Sequence, residues 1–243
     1  MRILVVVATE EEVGSLISEL RITIYDLQQG DRAISKSEME NPKRRSPLEH
    51  LKKTNNSEKS EILITGVGMV ATAFALGRHL ASNQYDLVVN LGIAGSFDRD
   101  IALGDVLEIT EDTFAELGAE DDNEFLSIEK MGFGEGTFYP STKLSNLYNL
   151  FNTFNLKTAK AITVNTVHGN EASIKKVTER LNPQLESMEG AAFFYACREM
   201  NVPCIQIRAV SNYVEKRNRD NWNIGLAIKN LNTFAIEFLK LYA

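Results

Sequence analysis

The sequence contains few residues of the kind that build disulfide frameworks or metal centres. Its 243 residues include only two cysteines and three histidines. Cys197 and Cys204 flank one predicted turn, so we expect free, apolar thiols in a reducing compartment, the cytoplasm. His50, His79 and His168 lie far apart, without the spacing of zinc ligands. These scarcities predict a protein without a bound metal or a disulfide bond.

Long hydrophobic runs and an excess of positive charge are also missing. No apolar run approaches the roughly 20 residues that span a bilayer, so we expect no membrane segment. The first apolar run, Ile3–Ala8, is followed at once by acidic residues, which favours a buried strand over a signal peptide. The net charge is −7. That balance disfavours a nucleic-acid partner, because phosphate binding relies on clustered lysine and arginine.

Short apolar runs alternate with amphipathic helical patterns, which is typical of a single α/β domain over residues 1–243. The predicted strands are Ile3–Ala8, Glu61–Thr65, Leu87–Asn90, Gly104–Ile109, Ala161–Thr166 and Cys204–Ala209. The predicted helices include Glu171–Arg180, Gly190–Met200 and a closing helix over Ile224–Leu239. Residues 21–60 are mostly polar and predict a surface insertion, with a short helix near Leu48–Lys53.

Polar residues stand where several of these strands end or the next helices begin. Ligands of open α/β sheets bind outside the carboxyl ends of the strands. Glu12, Glu189, Ser211 and Asn212 are therefore candidate site residues. Each position also has a structural interpretation. Glu12 suits a capping box with Thr9, Glu189 suits a helix N-terminus, and Asn212 suits a turn.

Two glycine-rich segments follow predicted strands. Gly66 and Gly68 match the G-x-G-x-x-A pattern of dinucleotide-binding proteins. However, Asp86, at the spacing of the ribose-binding acid, precedes the next strand instead of ending it. We therefore interpret this segment as a tight strand-to-helix turn. Gly92 and Gly95 either let the backbone approach a flat or anionic ligand, or form a second tight turn.

His168 follows the strand Ala161–Thr166. An isolated histidine at such a place is either a ligand contact or a hydrogen-bonded loop residue. The sequence leaves both interpretations open.

Five motifs, taken in order, resemble those of the nucleoside phosphorylase/nucleosidase family. They are A-T-x-x-E at Ala8–Glu12, T-G-V-G at Thr65–Gly68, N-x-G-x-A-G at Asn90–Gly95, M-E-G at Met188–Gly190 and R-A-V-S-N at Arg208–Asn212. The resemblance covers nearly the whole chain apart from residues 21–60. Within the family, the chain looks most similar to the futalosine hydrolases of the alternative menaquinone pathway. The segments that carry this closer resemblance are Glu116–Asp121, Thr163–Val167 and Ser211–Trp222.

The resemblance implies a three-layer α/β/α fold around a central mixed, twisted sheet. It also implies a homodimer or higher homo-oligomer that acts on a small-molecule nucleoside without a cofactor. Glu12 would deprotonate the water that attacks the N-glycosidic bond. The other residues implied to bind substrate are Ala94, Gly95, Val167, His168, Met188, Glu189 and Ser211, with the ribose near Met188 and Glu189 and the purine near Val167 and His168.

Two departures from related enzymes refine this expectation. Adenine-specific nucleosidases that resemble the chain carry Ser-Asp where it has Ser211-Asn212. The NH2 group of an amide suits the N7 and O6 acceptors of a 6-oxopurine such as hypoxanthine. Phosphorylase members place an arginine where this chain has Asn90, so water is the expected nucleophile.

Three points stay open at this level. Arg217 or Arg219 would pair with the benzoate of futalosine, or would be solvated loop charges. A methylthioadenosine/adenosylhomocysteine nucleosidase is the alternative enzyme, although Asn212 argues against it. A non-catalytic nucleoside-binding protein is the alternative from another class, and it would not need Glu12.

Overall fold

The computed structural model describes residues 1–19, 23–26, 33–34, 60–141, 154 and 156–242. The helix predicted near Leu48–Lys53 lies outside the described residues. The strands are β1 Ile3–Val7, β2 Thr23–Asp26, β3 Ala33–Ile34, β4 Ser60–Ile64, β5 Leu87–Ser96, β6 Val106–Phe114, β7 Gly118–Asp121, β8 Glu124–Ser127, β9 Thr137–Phe138, β10 Lys157–Thr163, β11 Leu185–Ser187 and β12 Cys204–Tyr213. The helices are α1 Gly14–Glu19, α2 Met69–Leu80, α3 Glu171–Leu181, α4 Gly190–Glu199 and α5 Ile224–Tyr242, with 3-10 helices at Glu10–Val13 and Arg219–Asn221.

Within the described residues, ten strands form one mixed sheet in the order β11-β10-β6-β12-β5-β1-β4-β2-β3, with β9 paired to β6. Strands β7 and β8 form a separate hairpin. Strand β11 also pairs antiparallel with β5, which closes a ring through β10, β6 and β12. Strands β1, β5 and β12 lie side by side and parallel. Their carboxyl ends therefore meet at one edge of the sheet, where ligands of such sheets bind.

Helices cover both faces of the sheet. On β1, Ile3, Val5 and Val7 belong to the hydrophobic core that includes α5. Leu4 and Val6 belong to the opposite core, which includes residues of α2 and α4. Successive side chains of a strand point to opposite faces, so a strand covered on both faces must be apolar throughout. The predicted three-layer fold around a mixed sheet is confirmed.

Several strand boundaries differ from the prediction. Strand β5 continues through the glycine-rich segment Leu91–Ser96, so Gly92 and Gly95 lie in a strand and do not form a second tight turn. Strand β12 likewise continues to Tyr213, so Ser211 and Asn212 lie in a strand and not in a turn. The register of β12 against β5 shifts between Val210 and Asn212, which indicates a bulge there. Along the rest of the chain, β6 runs on to Phe114 and β10 already ends at Thr163.

The tight turn predicted between β4 and α2 is confirmed. Gly66 and Gly68 have φ angles of +87° and +97°. Side chains rarely tolerate this region of φ, which accounts for glycine at both positions. Among the described residues, no helix combines the length and apolar character needed to cross a membrane.

Candidate active site

Glu12 is a buried carboxylate just beyond the end of β1. Its Oε2 accepts hydrogen bonds from Ala8 N (3.0 Å) and Thr9 N (3.1 Å), so the bond expected of a capping box is present. Its Oε1 accepts from Ile93 N at 3.2 Å, on the neighbouring strand β5. Burial raises the pKa of the Glu12 carboxyl, and the nearby Arg208 guanidinium opposes this shift. Glu12 is thus both a local backbone partner and a carboxylate held at the edge of the sheet.

Arg208 is the cation whose charge opposes the rise in the Glu12 pKa, and it is itself fully buried in β12. Its Nη2 donates to Asn90 Oδ1 (2.5 Å) and Gln206 Oε1 (2.7 Å). A Cβ at Gly92 would lie 1.9 Å from Arg208 Nη1 and 3.1 Å from Glu12 Oε1. Gly92 therefore makes room for the protein's own arginine and carboxylate, which is why a glycine stands inside a strand here.

A second buried carboxylate, Asp112 of β6, supports Arg208 through Gln206. Asp112 Oδ2 accepts from Gln206 Nε2 (2.9 Å), and Asp112 Oδ1 accepts from Thr163 Oγ1 (2.8 Å). Because a carboxylate only accepts, it turns the amide of Gln206 so that the Gln206 carbonyl oxygen faces Arg208. Burial raises the pKa of Asp112 to about 6. A Cβ at Gly190 would lie 2.0 Å from Asp112 Oδ2, so this network packs directly beneath the start of α4.

Glu189, at the start of α4, is anchored on the turn that follows β4. Its Oε1 accepts from Gly68 N at 2.9 Å, and its Oε2 accepts from Met188 N at 3.2 Å. The charge of Glu189 acts to raise the pKa of Glu12, so the two carboxylates are electrostatic neighbours. The structure therefore brings Glu12, Glu189 and Arg208 together, with the half-buried Met188 beside them.

Ser211 and Asn212 lie farther along the same sheet edge. Ser211 Oγ lies 3.2 Å from Ala94 O and 2.8 Å from Asn212 Oδ1. Both of these oxygens are acceptors, so the single hydroxyl proton is donated to one of them at a time. A Cβ at Gly95 would lie 3.2 Å from Asn212 Nδ2 and 3.0 Å from Val214 Cγ2. The group at Gly95 therefore lies farther along β5 than the group at Gly92, which contacts Glu12 and Arg208.

His168 is a hydrogen-bonded loop residue whose partner is Glu186 of β11. His168 N donates to Glu186 Oε1 at 3.0 Å, and His168 Nδ1 lies 2.7 Å from Glu186 Oε2. Burial raises the pKa of Glu186, and its contacts with His168 oppose that shift. Val167, just before His168, is partly exposed. Glu186 pairs with Gly95 across the sheet. Its bonds to His168 therefore hold the loop after β10 close to Asn212.

The two arginines considered for the substrate carboxylate lie beside Trp222. The guanidinium carbons of Arg217 and Arg219 are 5.0 and 5.7 Å from the centre of the Trp222 ring. Arg217 N also donates to Gly169 O at 3.3 Å, next to His168. Arg217 is consequently the one nearer to the loop that carries His168.

Neither of two cavities in the described part of the chain is lined by the predicted site residues. An open cavity of about 540 Å³ is lined by residues that include Lys175, Val214 and Lys216, so it shares Val214 with the group above Gly95. Another, of about 420 Å³, lies on a different surface beside Phe138 and Arg198. Among the described residues, no three His, Cys, Asp or Glu side chains are grouped so as to hold a metal ion.

Sequence reasoning missed Arg208, Asp112 and Glu186 as members of the site. A usable signal was present in β12, where Gln206 and Arg208 alternate with apolar residues of a buried strand. A charge at such a position is almost always paired, which points to acidic partners elsewhere in the chain. No comparable local signal marks Glu186.

Known proteins are similar to this chain over most of its length. Residues 2–241 match the phosphorylase superfamily. A futalosine hydrolase of Streptomyces coelicolor is 34% identical over 177 residues, which cover 70% of this chain and 74% of the relative. A futalosine hydrolase of Thermus thermophilus is 29% identical over 171 residues, covering 70% and 76%. A 5′-methylthioadenosine/S-adenosylhomocysteine nucleosidase structure from Helicobacter pylori shares 16% identity, with a TM-score of 0.75 and coverage of 99% and 97%.

Proposed function

The chain belongs to the phosphorylase superfamily, and within it we propose that the protein is an N-glycosyl hydrolase that cleaves futalosine. The products are hypoxanthine and dehypoxanthine futalosine, and the reaction belongs to menaquinone biosynthesis. The similarity to two futalosine hydrolases carries this proposal. An amide at Asn212, where adenine-specific nucleosidases have a carboxylate, supports the same choice of base.

Glu12 is the proposed general base. Water held by its carboxylate loses a proton to it and forms the new C1′–O bond, while the bond from C1′ to N9 of hypoxanthine breaks. Fixed hydrogen bonds from Ala8, Thr9 and Ile93 hold the carboxylate in place. A positioned general base of this kind contributes about 10²–10⁴-fold in rate.

Asn212 and Glu189 are the proposed substrate contacts on either side of the breaking bond. The Asn212 amide donates to N7 or O6 of the base and stabilises the charge that the purine acquires as it leaves. The Glu189 carboxylate, held by Gly68 N, accepts from the ribose hydroxyls. Met188 packs on the sugar, and Val167 and His168 border the purine.

Water is the proposed nucleophile, and the contacts of Asn90 and Arg208 support this choice. Asn90 is neutral, and its Nδ2 donates to Val6 O at 2.9 Å. Three of the Arg208 bonds already go to Asn90 and Gln206. These groups are engaged with one another, so this part of the site offers little free positive charge to hold phosphate.

Incubating the protein with futalosine, methylthioadenosine and inosine, each with and without phosphate, tests the proposal. Free hypoxanthine from futalosine in the absence of phosphate is the expected result. Release of adenine from methylthioadenosine would favour the alternative nucleosidase. Absence of base release from all three substrates would favour the non-catalytic nucleoside-binding protein.

The value of kcat/KM should fall as the pH is lowered, and the fall should begin at a pH above the ordinary pKa range of a glutamic acid. Burial raises the pKa of Glu12, so the carboxyl keeps its proton to a higher pH and acts as a base only above that point. Asp112, whose pKa burial raises to about 6, accepts from Gln206, which in turn accepts from Arg208, so its protonation would disturb the same network over this pH range. Measuring kcat/KM from about pH 4 to about pH 8 checks this prediction. A flat profile would contradict it.

We also propose that the protein is a homodimer or higher homo-oligomer. Val67, Val70 and Phe74 are 55%, 77% and 67% exposed. Val70 and Phe74 are four residues apart on α2 and so share one face of the helix. Contiguous exposed apolar side chains mark association surfaces. Light scattering should give a mass that is a multiple of 27.2 kDa, and a mass of one chain at micromolar concentration would contradict the proposal.

The compartment that we propose is the cytoplasm. Cys197 and Cys204 are free and buried, although they lie close enough to interact. Burial raises the pKa of Cys197, which keeps it an unreactive thiol. Paired thiols that stay reduced are typical of a reducing compartment.

A further inference from the structure

Glu186 is a buried acidic side chain at the base end of the site. Only 3% of its side chain is exposed. Across the antiparallel pairing of β11 with β5, its partner is Gly95. A Cβ at Gly95 would lie 3.6 Å from Glu186 Cγ and 3.2 Å from Asn212 Nδ2. Glu186 and Asn212 therefore converge above the same glycine, from strands on opposite sides of β5.

The contacts of Glu186 leave part of its accepting capacity free. Oε1 accepts from His168 N, and Oε2 meets His168 Nδ1. Each carboxylate oxygen can accept two hydrogen bonds, so each retains one acceptor position. His168 also packs edge-on against Phe97, with ring centres 6.2 Å apart, which fixes the imidazole that holds the carboxylate. A buried acid is thus presented in one orientation beside the proposed base contact.

Asn212 favours a 6-oxopurine in only one of the two orientations of its amide. An amide turned one way offers NH2 to a 6-oxo group, and turned the other way offers its carbonyl to a 6-amino group. In this structure Asn212 Oδ1 accepts from Ser211 Oγ, a hydroxyl that can itself rotate. An ionised carboxylate has no such freedom, because it accepts and never donates. The N1 atom of hypoxanthine carries a proton, whereas N1 of adenine is an acceptor.

We propose that Glu186, held by His168, accepts the N1–H of the 6-oxopurine and is the group that excludes 6-aminopurines. This inference rests on the proposed function and names the residue that determines its base specificity. Hypoxanthine satisfies both Asn212 and Glu186. Adenine would place its N1 lone pair against the carboxylate and leave two buried acceptors facing each other, which sites of this kind reject strongly.

Binding of free bases, measured by calorimetry, tests the inference separately from catalysis. The probes are hypoxanthine, 1-methylhypoxanthine and adenine. A hydrogen bond to a charged group contributes about 10- to 100-fold in affinity, so wild-type protein should prefer hypoxanthine over each of the others by at least that factor. In Glu186→Gln, hypoxanthine should bind about 10- to 100-fold more weakly while adenine binding stays constant or improves, since an amide can donate to N1.

Glu179→Gln is the matched control. Glu179 lies on α3, where it pairs with Lys175 at 3.7 Å and 67% of its side chain is exposed. Its replacement should leave the ratio of hypoxanthine to adenine affinity unchanged. If Glu186→Gln does not fold, Glu186→Asp keeps the charge but withdraws it by one methylene. Glu186→Asp should then lower the ratio of hypoxanthine to adenine affinity.

The outcomes separate this inference from the proposed function. If Glu186→Gln weakens all three bases equally, Glu186 only clamps the loop and the inference is overturned. That result leaves the proposed function standing, provided that wild-type protein releases hypoxanthine from futalosine. If wild-type protein neither cleaves futalosine nor binds hypoxanthine, the proposed function fails first, and the inference fails with it.

Discussion

Replacing Glu12 with glutamine should lower the rate of hypoxanthine release from futalosine by about 10²–10⁴-fold. The amide cannot take the proton of the attacking water. It can still accept the bonds from Ala8 and Thr9 N, but its NH2 group would face Ile93 N at the position where Oε1 now accepts. We therefore expect a folded variant that is less stable by about 1–3 kcal/mol. Initial rates and chemical denaturation measure the two effects.

Glu11→Gln is the control for this experiment. Glu11 is adjacent and exposed, so its replacement changes the same charge by the same chemistry outside the site. Its rate should equal that of wild type. Undiminished turnover by folded Glu12→Gln would remove Glu12 from the mechanism.

Exchanging Asn212 for aspartate should shift base preference from 6-oxo to 6-amino nucleosides. A carboxylate repels N7 and O6 of hypoxanthine, whereas it accepts from a 6-amino group, and in its acid form it can protonate N7. The structure adds a cost, because Asn212 Nδ2 now donates to Tyr213 O at 3.1 Å and a carboxylate cannot. We expect the ratio of kcat/KM for futalosine to kcat/KM for methylthioadenosine to fall at least about 100-fold. Parallel assays with both substrates give the ratio.

Asn123→Asp, on an exposed turn, is the matched substitution. It makes the same chemical change far from the sheet edge and should not move the ratio. An unchanged ratio in Asn212→Asp as well would show that Asn212 does not contact the purine. Because Glu186 still disfavours adenine in Asn212→Asp, kcat/KM for methylthioadenosine should rise only in part. It should rise further in the double variant that also carries Glu186→Gln.

The central strands could be predicted from the sequence because they are buried on both faces. Ile3–Val7 and Leu87–Val89 are apolar at every position, and each of these residues belongs to one of the two cores. Local sequence patterns did not predict the structure correctly where the residues that determine it are distant in the sequence. Leu91–Ser96 reads as a loop because of Gly92 and Gly95, yet both glycines lie in a strand beneath side chains that arrive from β12.

The site could be predicted only in part, for a similar reason. Glu12 and Asn212 follow strand ends or belong to short motifs, so their neighbourhood in sequence already marks them. Asp112 and Glu186 act through partners 94 and 18 residues away, Gln206 and His168. The spacing of residues in the sequence cannot predict such pairs, because they come into contact only when the sheet has formed. The assignments of substrate contacts therefore remain predictions.

A crystal structure of Glu12→Gln with intact futalosine is the most direct test. We expect the sugar between residue 12 and Glu189, the anomeric carbon facing the residue 12 amide through one water, and N7 and O6 of the purine within hydrogen-bond distance of Asn212. Futalosine bound elsewhere, or with its purine turned away from Asn212, would contradict the proposed mechanism.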